Sequence, residues 1–154
     1  MSKLADALYS LTITLWVGAL FAIGYLAAPT LFAQLTDRTL AGSLAGEMFK
    51  WVAWLGIACG VYLLLFLLGR RGFGVLKSPV FWLVLLMLGL TVAGYFGIQP
   101  ILAQLKADAL PRQVMESALR DRFATWHGIS SGLYLIESLL GVALVLVQER
   151  GKRS

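Results

Sequence analysis

Along this chain polar and apolar residues segregate into long blocks. Four runs are almost purely apolar, at about residues 7–28, 51–69, 79–99 and 126–147. Each is close to the roughly 20 residues that an α-helix needs to cross the hydrocarbon of a bilayer. The pattern predicts an all-α polytopic membrane protein, a four-transmembrane-helix bundle in a single integral domain over residues 1–154. Helix one is expected from Ser2 or Leu4 towards Pro29, which removes a backbone donor, with Leu31, Phe32 and Leu35 lying at the interface. Thr36 or Asp37 is placed to cap helix two, which ends at Gly69-Arg70-Arg71-Gly72. Ser78-Pro79 opens helix three, which meets Pro100. Helix four is expected from Leu110-Pro111, its charged first turns lying outside the bilayer.

The halves of the chain resemble each other. The run from Trp54 to Leu63 aligns without gaps on Trp126 to Leu135, with Trp, Gly, Ile, Gly, Tyr and Leu identical at matching places. Upstream, Gly24-Tyr25 and Ala33-Gln34-Leu35 match Gly94-Tyr95 and Ala103-Gln104-Leu105, with Pro29 and Pro100 one step out of register. This reads as a duplicated helical hairpin, at about 1–72 and 73–154, related by a pseudo-twofold axis along the membrane normal. In that alignment Leu55, Ala58, Cys59 and Leu65 stand opposite His127, Ser130, Ser131 and Glu137, so the second copy gains polarity.

Wound as a helix, the fourth run places His127, Ser130, Ser131, Tyr134, Glu137 and Ser138 within a stripe about 120° wide. Lipid offers such groups no hydrogen bonds, so they are expected to face protein or water. Glu137 lies near mid-span, where a charged acid costs about 2.5–3.5 kcal/mol on insertion scales. Thr14 and Thr91 lie at a similar depth and are candidate partners. His127 is ten residues away, roughly 15 Å along the helix. Ser130, Ser131 and Tyr134 are placed to bridge the two through water, and these five residues form the candidate polar site. Gly42 and Gly46, and Gly128 and Gly132, are each four apart, a spacing that lets a second helix approach closely.

Composition sharpens this picture. Hydrophobic residues make up 59% and charged residues 14% of the chain, far from soluble averages. The net charge of +5 would point to nucleic acid in a soluble protein. Here the positive-inside rule accounts for it, and no nucleic-acid partner is expected. Arg70, Arg71 and Lys77 crowd one short loop, and Arg150, Lys152 and Arg153 crowd the C-terminus. Both termini are therefore expected on the cytoplasmic side of a bacterial inner membrane. Lys3 and Ala27-Ala28 resemble parts of a signal peptide, but Pro29 follows directly and the run is long for one. The single cysteine, Cys59, has no intramolecular disulfide partner.

The candidate chemistry is sparse. One histidine cannot supply a bis-histidine haem, and no second His or Cys has ligand spacing; neither haem nor metal is expected, with His127 the single candidate ligand. No nucleophile–base–orienter set is evident, so enzymatic activity is not expected. The lipid bilayer is the expected partner. A homodimer or a larger membrane complex would supply more pathway surface than four helices offer.

The residues Phe123, Trp126, His127, Gly128, Ile129 and Ser130 resemble a pattern of the transmembrane-protein-205-like family, whose bacterial members are domain of unknown function 4149. Leu15-Trp16-Val17-Gly18 and Pro29-Thr30-Leu31-Phe32 resemble its first hairpin. Tyr134 departs from it, since many members carry Asn nearby. The resemblance implies a four-helix membrane protein and little about biochemistry. A looser similarity runs to copper-resistance membrane proteins and four-helix haem-dependent protoporphyrinogen oxidases. Those use histidines in early helices, and helix one here has none.

Overall fold

A computed structural model describes residues 3–110 and 113–153, with side chains described as far as 148. Ser2, Pro111, Arg112 and the side chains of Arg150, Lys152 and Arg153 lie outside the described residues. The described chain forms four helices long and apolar enough to cross a membrane: α1 (Lys3–Gln34), α2 (Arg38–Arg71), α3 (Pro79–Ala109) and α4 (Arg120–Arg153). A 3-10 segment, Gly72–Lys77, joins α2 to α3. Each helix packs on its neighbours in chain order, and α4 closes the ring against α1.

Local chemistry accounts for the ends. The Asp37 side chain accepts from the backbone N–H groups of Thr39 at 2.8 Å and Leu40 at 3.1 Å, satisfying two orphan donors at the start of α2. Ser78 precedes Pro79 as expected but makes no side-chain cap. The start of α4 differs from expectation. A 3-10 turn at Val114–Glu116 comes first, and the helix begins at Arg120. The Ser117 hydroxyl accepts from the Leu119 N–H at 3.1 Å, the local side-chain bond that competes with helix.

Pro29 and Pro100 end neither helix. In each case a π-helical segment precedes the proline, Ala22–Ala27 in α1 and Ala93–Ile98 in α3. The Ala28 N–H bonds to Ile23 O and the Gln99 N–H to Gly94 O, both five residues back. The wider coil carries the helix past a residue that lacks a donor and clashes with the carbonyl four positions earlier.

The core runs through Ile13, Trp16, Val17 and Leu20 of α1, Val52, Cys59 and Leu63 of α2, Val84 and Met87 of α3, and Leu144 of α4. Many other large apolar residues, such as Leu11, Leu15, Leu65, Leu86 and Leu139, are exposed, as a lipid-facing surface requires. Lipid is as apolar as leucine, so close packing rather than burial has to hold the helices together. Small residues supply it. A Cβ on Gly60 would sit 3.1–3.2 Å from atoms of Leu88 and Trp16, and one on Gly141 would sit 3.2 Å from Val17 Cγ2 and 3.5 Å from Met87 Cε.

The two runs aligned in the sequence differ in burial. Gly56, Cys59, Gly60 and Leu63 are buried, whereas Gly128, Ser131, Gly132 and Leu135, their gapless counterparts, are exposed. Trp16 and Leu88 flank Gly60, and Met87 and Val17 flank Gly141. Trp16 and Met87, like the two π segments and the two prolines, stand 71 positions apart. Gly141 and Gly132 are nine residues apart, about two and a half turns, so the gapless alignment compares opposite faces of the helix. The apparent gain of polarity at His127, Ser130, Ser131 and Glu137 therefore compares positions with different surroundings.

At the end bearing the N-terminus, Arg70 Nη1 pairs with Asp6 Oδ1 at 2.6 Å, and the Arg70 guanidinium lies over the Phe66 ring at 5.9 Å. Both ion-pair side chains are more than a third exposed. Arg70→Gln should therefore lower stability by less than about 1 kcal/mol. Unfolding in mild detergent at low and high salt checks this, and a larger, salt-insensitive loss would contradict it.

Candidate functional site

The predicted polar stripe divides into three parts. Glu137 and Tyr134 turn into the bundle, Ser130 is half-buried, and His127 and Ser131 are exposed. The Ser131 hydroxyl donates to its own helix at His127 O, 2.9 Å away. The His127 ring stacks on Phe123 at 5.7 Å, and Lys106 Nζ lies over that same Phe123 ring at 5.7 Å. His127 thus belongs to an aromatic and cationic cluster at one end of the bundle, away from Glu137. An open pocket of about 320 Å³ is lined by Pro100, Ile101, Gln104, Leu105, Asp108 and Arg122 and includes none of the predicted site residues.

Glu137 is only 6% exposed. Of its two expected partners, Thr91 holds it: Thr91 Oγ1 lies 2.6 Å from Glu137 Oε1. Thr14 is exposed and donates to Ser10 O at 3.0 Å. Thr91 Oγ1 is also 3.0 Å from Met87 O. A hydroxyl has one proton to give. If Thr91 donates to Glu137, the acid accepts as a carboxylate. If Thr91 donates to Met87 O, the carboxyl proton makes the same contact in the other direction. One hydroxyl rotation therefore serves both protonation states. Ser138, buried beside the acid, donates to Tyr134 O at 2.8 Å.

Tyr134 makes an unusual cross-helix contact. Its hydroxyl donates to Leu20 O of α1 at 2.7 Å. In an uninterrupted α-helix, Gly24 N–H and Leu20 C=O would bond to each other. Here the Leu20 carbonyl accepts from the phenol, and the π segment Ala22–Ala27 follows it, a recognised cause of local helix distortion. The ring occupies the space that a Gly24 Cβ would need. Phe49 of α2 meets the ring edge-on at 5.2 Å, and Tyr25 lies at 6.2 Å.

The packing glycines fall differently from expectation. Among the described residues nothing approaches within 4 Å of a Cβ built on Gly46, Gly128 or Gly132, and Gly42 has only ordinary contacts at 3.8 and 3.9 Å. Gly24, Gly56, Gly60 and Gly141 are the glycines at which this bundle closes. A spacing of four selects one helix face without saying whether that face meets another helix of the same chain.

A family model of a domain of unknown function, DUF4149, matches residues 11–111. The chain belongs to that family. The DUF4149 match covers about two thirds of the chain and takes in most of α1 and all of α2 and α3, including Trp16, Gly24, Gly56 and Thr91. It ends before α4, so Tyr134 and Glu137, and the Phe123–Ser130 pattern, lie outside it. No curated protein and no solved structure matches the chain. The likeness to transmembrane-protein-205 relatives and to copper-resistance proteins therefore rests on the residues quoted for it alone.

Trp16, Gly24 and Gly56 were not singled out as site residues from the sequence. A signal for Trp16 was present: tryptophan favours the membrane interface, and Trp16 stands well inside its span. Trp51, Trp54 and Trp82 are exposed, whereas Trp16 is fully buried. Gly24 and Gly56 carried no such mark, because their role depends on which side chain arrives from another helix.

Proposed function

We propose that this DUF4149 protein is a small multi-pass membrane protein that moves protons, or a proton-coupled solute, through Glu137. The observation that carries the reading is the Glu137–Thr91 contact: a carboxyl buried between two spans, held by a hydroxyl that can serve either protonation state. Intramembrane acids are rare because of their cost, and they commonly mark ion and proton pathways. His127 and Ser131 do not extend that contact inside the bundle, so the proton would reach Glu137 past Ser130 and Tyr134. The reading places the protein in a bacterial inner membrane with both termini cytoplasmic. The Asp6–Arg70 pair supports the even topology this needs, because it brings the N-terminus and the basic α2–α3 connection to one end. The matching π segments and the Gly60 and Gly141 contacts support an origin by hairpin duplication. The test is proton flux into proteoliposomes loaded with a pH-sensitive dye, comparing the native chain with Glu137→Gln. Equal flux in the two overturns the reading.

A second reading is favoured by the outer face of α4. Gly128, Ser131 and Gly132 are exposed at a depth where lipid would otherwise cover them, and such a face suits close approach of a second transmembrane helix. On this reading the protein is a subunit of a homodimer or larger membrane assembly. Gly128→Leu should then lower the native mass of the detergent-solubilised complex.

A further inference from the structure

Trp16 Nε1 is a fully buried donor without a hydrogen-bond partner among the described residues. An indole N–H sealed from water in this way is costly unless something accepts from it. The nitrogen faces Gly56: a Cβ there would lie 2.7 Å from Trp16 Nε1 and 3.5 Å from Thr91 Cγ2. Gly56 is therefore where the indole nitrogen of α1 and the methyl of Thr91 of α3 come together, and the hydroxyl of the same threonine holds Glu137 of α4. All four helices contribute to one polar level inside an apolar bundle.

We propose that this level binds a single water molecule. The Trp16 N–H donates to the water oxygen, and the water donates onward to Thr91 Oγ1 and to the Glu137 carboxyl. Buried waters characteristically make two to four hydrogen bonds; Trp16 supplies the unpartnered donor, and Thr91 Oγ1 and the Glu137 carboxyl, though bonded to each other, keep lone pairs that can accept. The chemistry selects water over a cation, since an N–H donor aimed at the site repels positive charge. An apolar ligand would leave the N–H unsatisfied. Gly56 is glycine because any side chain would fill the place where the indole N–H reaches its acceptor. This inference rests on the proton reading of Glu137 only for its purpose: the water would carry the proton to and from the acid.

The experiment is water-edited solid-state NMR on the full chain with isotopically labelled tryptophan, in deuterated lipid bilayers. Trp16→Phe identifies the Trp16 indole signal by its disappearance. In the native protein that signal should receive magnetisation from water although the residue is fully buried. Gly56→Ala should abolish the transfer, and Thr91→Val should reduce it at least twofold. A native Trp16 indole that receives nothing from water overturns the proposal. So does transfer that persists unchanged in both variants. A wet Trp16 in a protein whose flux ignores Glu137→Gln would keep the water site and sink the proton role. A dry Trp16 in a protein with Glu137-dependent flux would do the reverse.

Discussion

Gly24→Val will unseat Tyr134 from α1 and destabilise the bundle by roughly 2–4 kcal/mol. The Tyr134 ring already stands where the new side chain must go, and forcing extra carbon atoms into a packed site costs about 1–3 kcal/mol. The displaced ring also loses the Leu20 O bond and its edge-on contact with Phe49. Hydrogen bonds between membrane helices average about 0.6 kcal/mol each, so steric overlap is the larger part. Two companions separate the effects. Tyr134→Phe removes only the hydroxyl and should lose about 1 kcal/mol or less. Gly18→Ala adds a Cβ where nothing among the described residues lies within 4 Å, and should be neutral or slightly stabilising through helix propensity. Reversible unfolding in mixed detergent measures all three. A Gly24→Val protein as stable as the native one would contradict the placement of the Tyr134 ring.

Glu137→Gln will leave the fold intact and lower proton flux at least tenfold, a change of about 1.4 kcal/mol or more in the barrier. Glutamine has nearly the same shape, and its amide oxygen can accept from the Thr91 hydroxyl as Oε1 does. It cannot release or take up a proton. The contact to α3 therefore survives while the titrating group is lost. Thr91→Val gives the complementary result. It leaves the acid buried without its partner, so stability falls by about 1–3 kcal/mol along with flux. If Glu137→Gln lowers stability as much as Thr91→Val does and flux is unchanged, the acid is only a tie between helices.

Which features were legible in advance follows from the contrast available at each step. The four spans were plain, because lipid-crossing segments differ from their connections in every residue type. A cap at Thr36 or Asp37 was equally readable, since capping depends on neighbours within one turn, and Asp37 is the one that forms it. The choice of Thr91 over Thr14 for Glu137 was not, because depth along two helices leaves their rotation open. The α4 start was misread because helical periodicity does not show where the Ser117 bond to Leu119 N–H interrupts it.

By itself, then, the sequence determined that this chain is a membrane-crossing, all-α protein with four spans and an acid near the middle of the last. Only the tertiary structure decided which face of each helix turns inward. In a soluble helix the polar face marks the outside; here lipid and core are equally apolar, and that mark is missing. The orientation was settled instead by shape: Gly56 and Gly60 admit Trp16, Gly141 admits Met87, and Gly24 admits Tyr134. Those fits rotate α4 so that Glu137 meets Thr91 and His127 is left at the surface, because a helix has a single rotation to satisfy all its contacts at once.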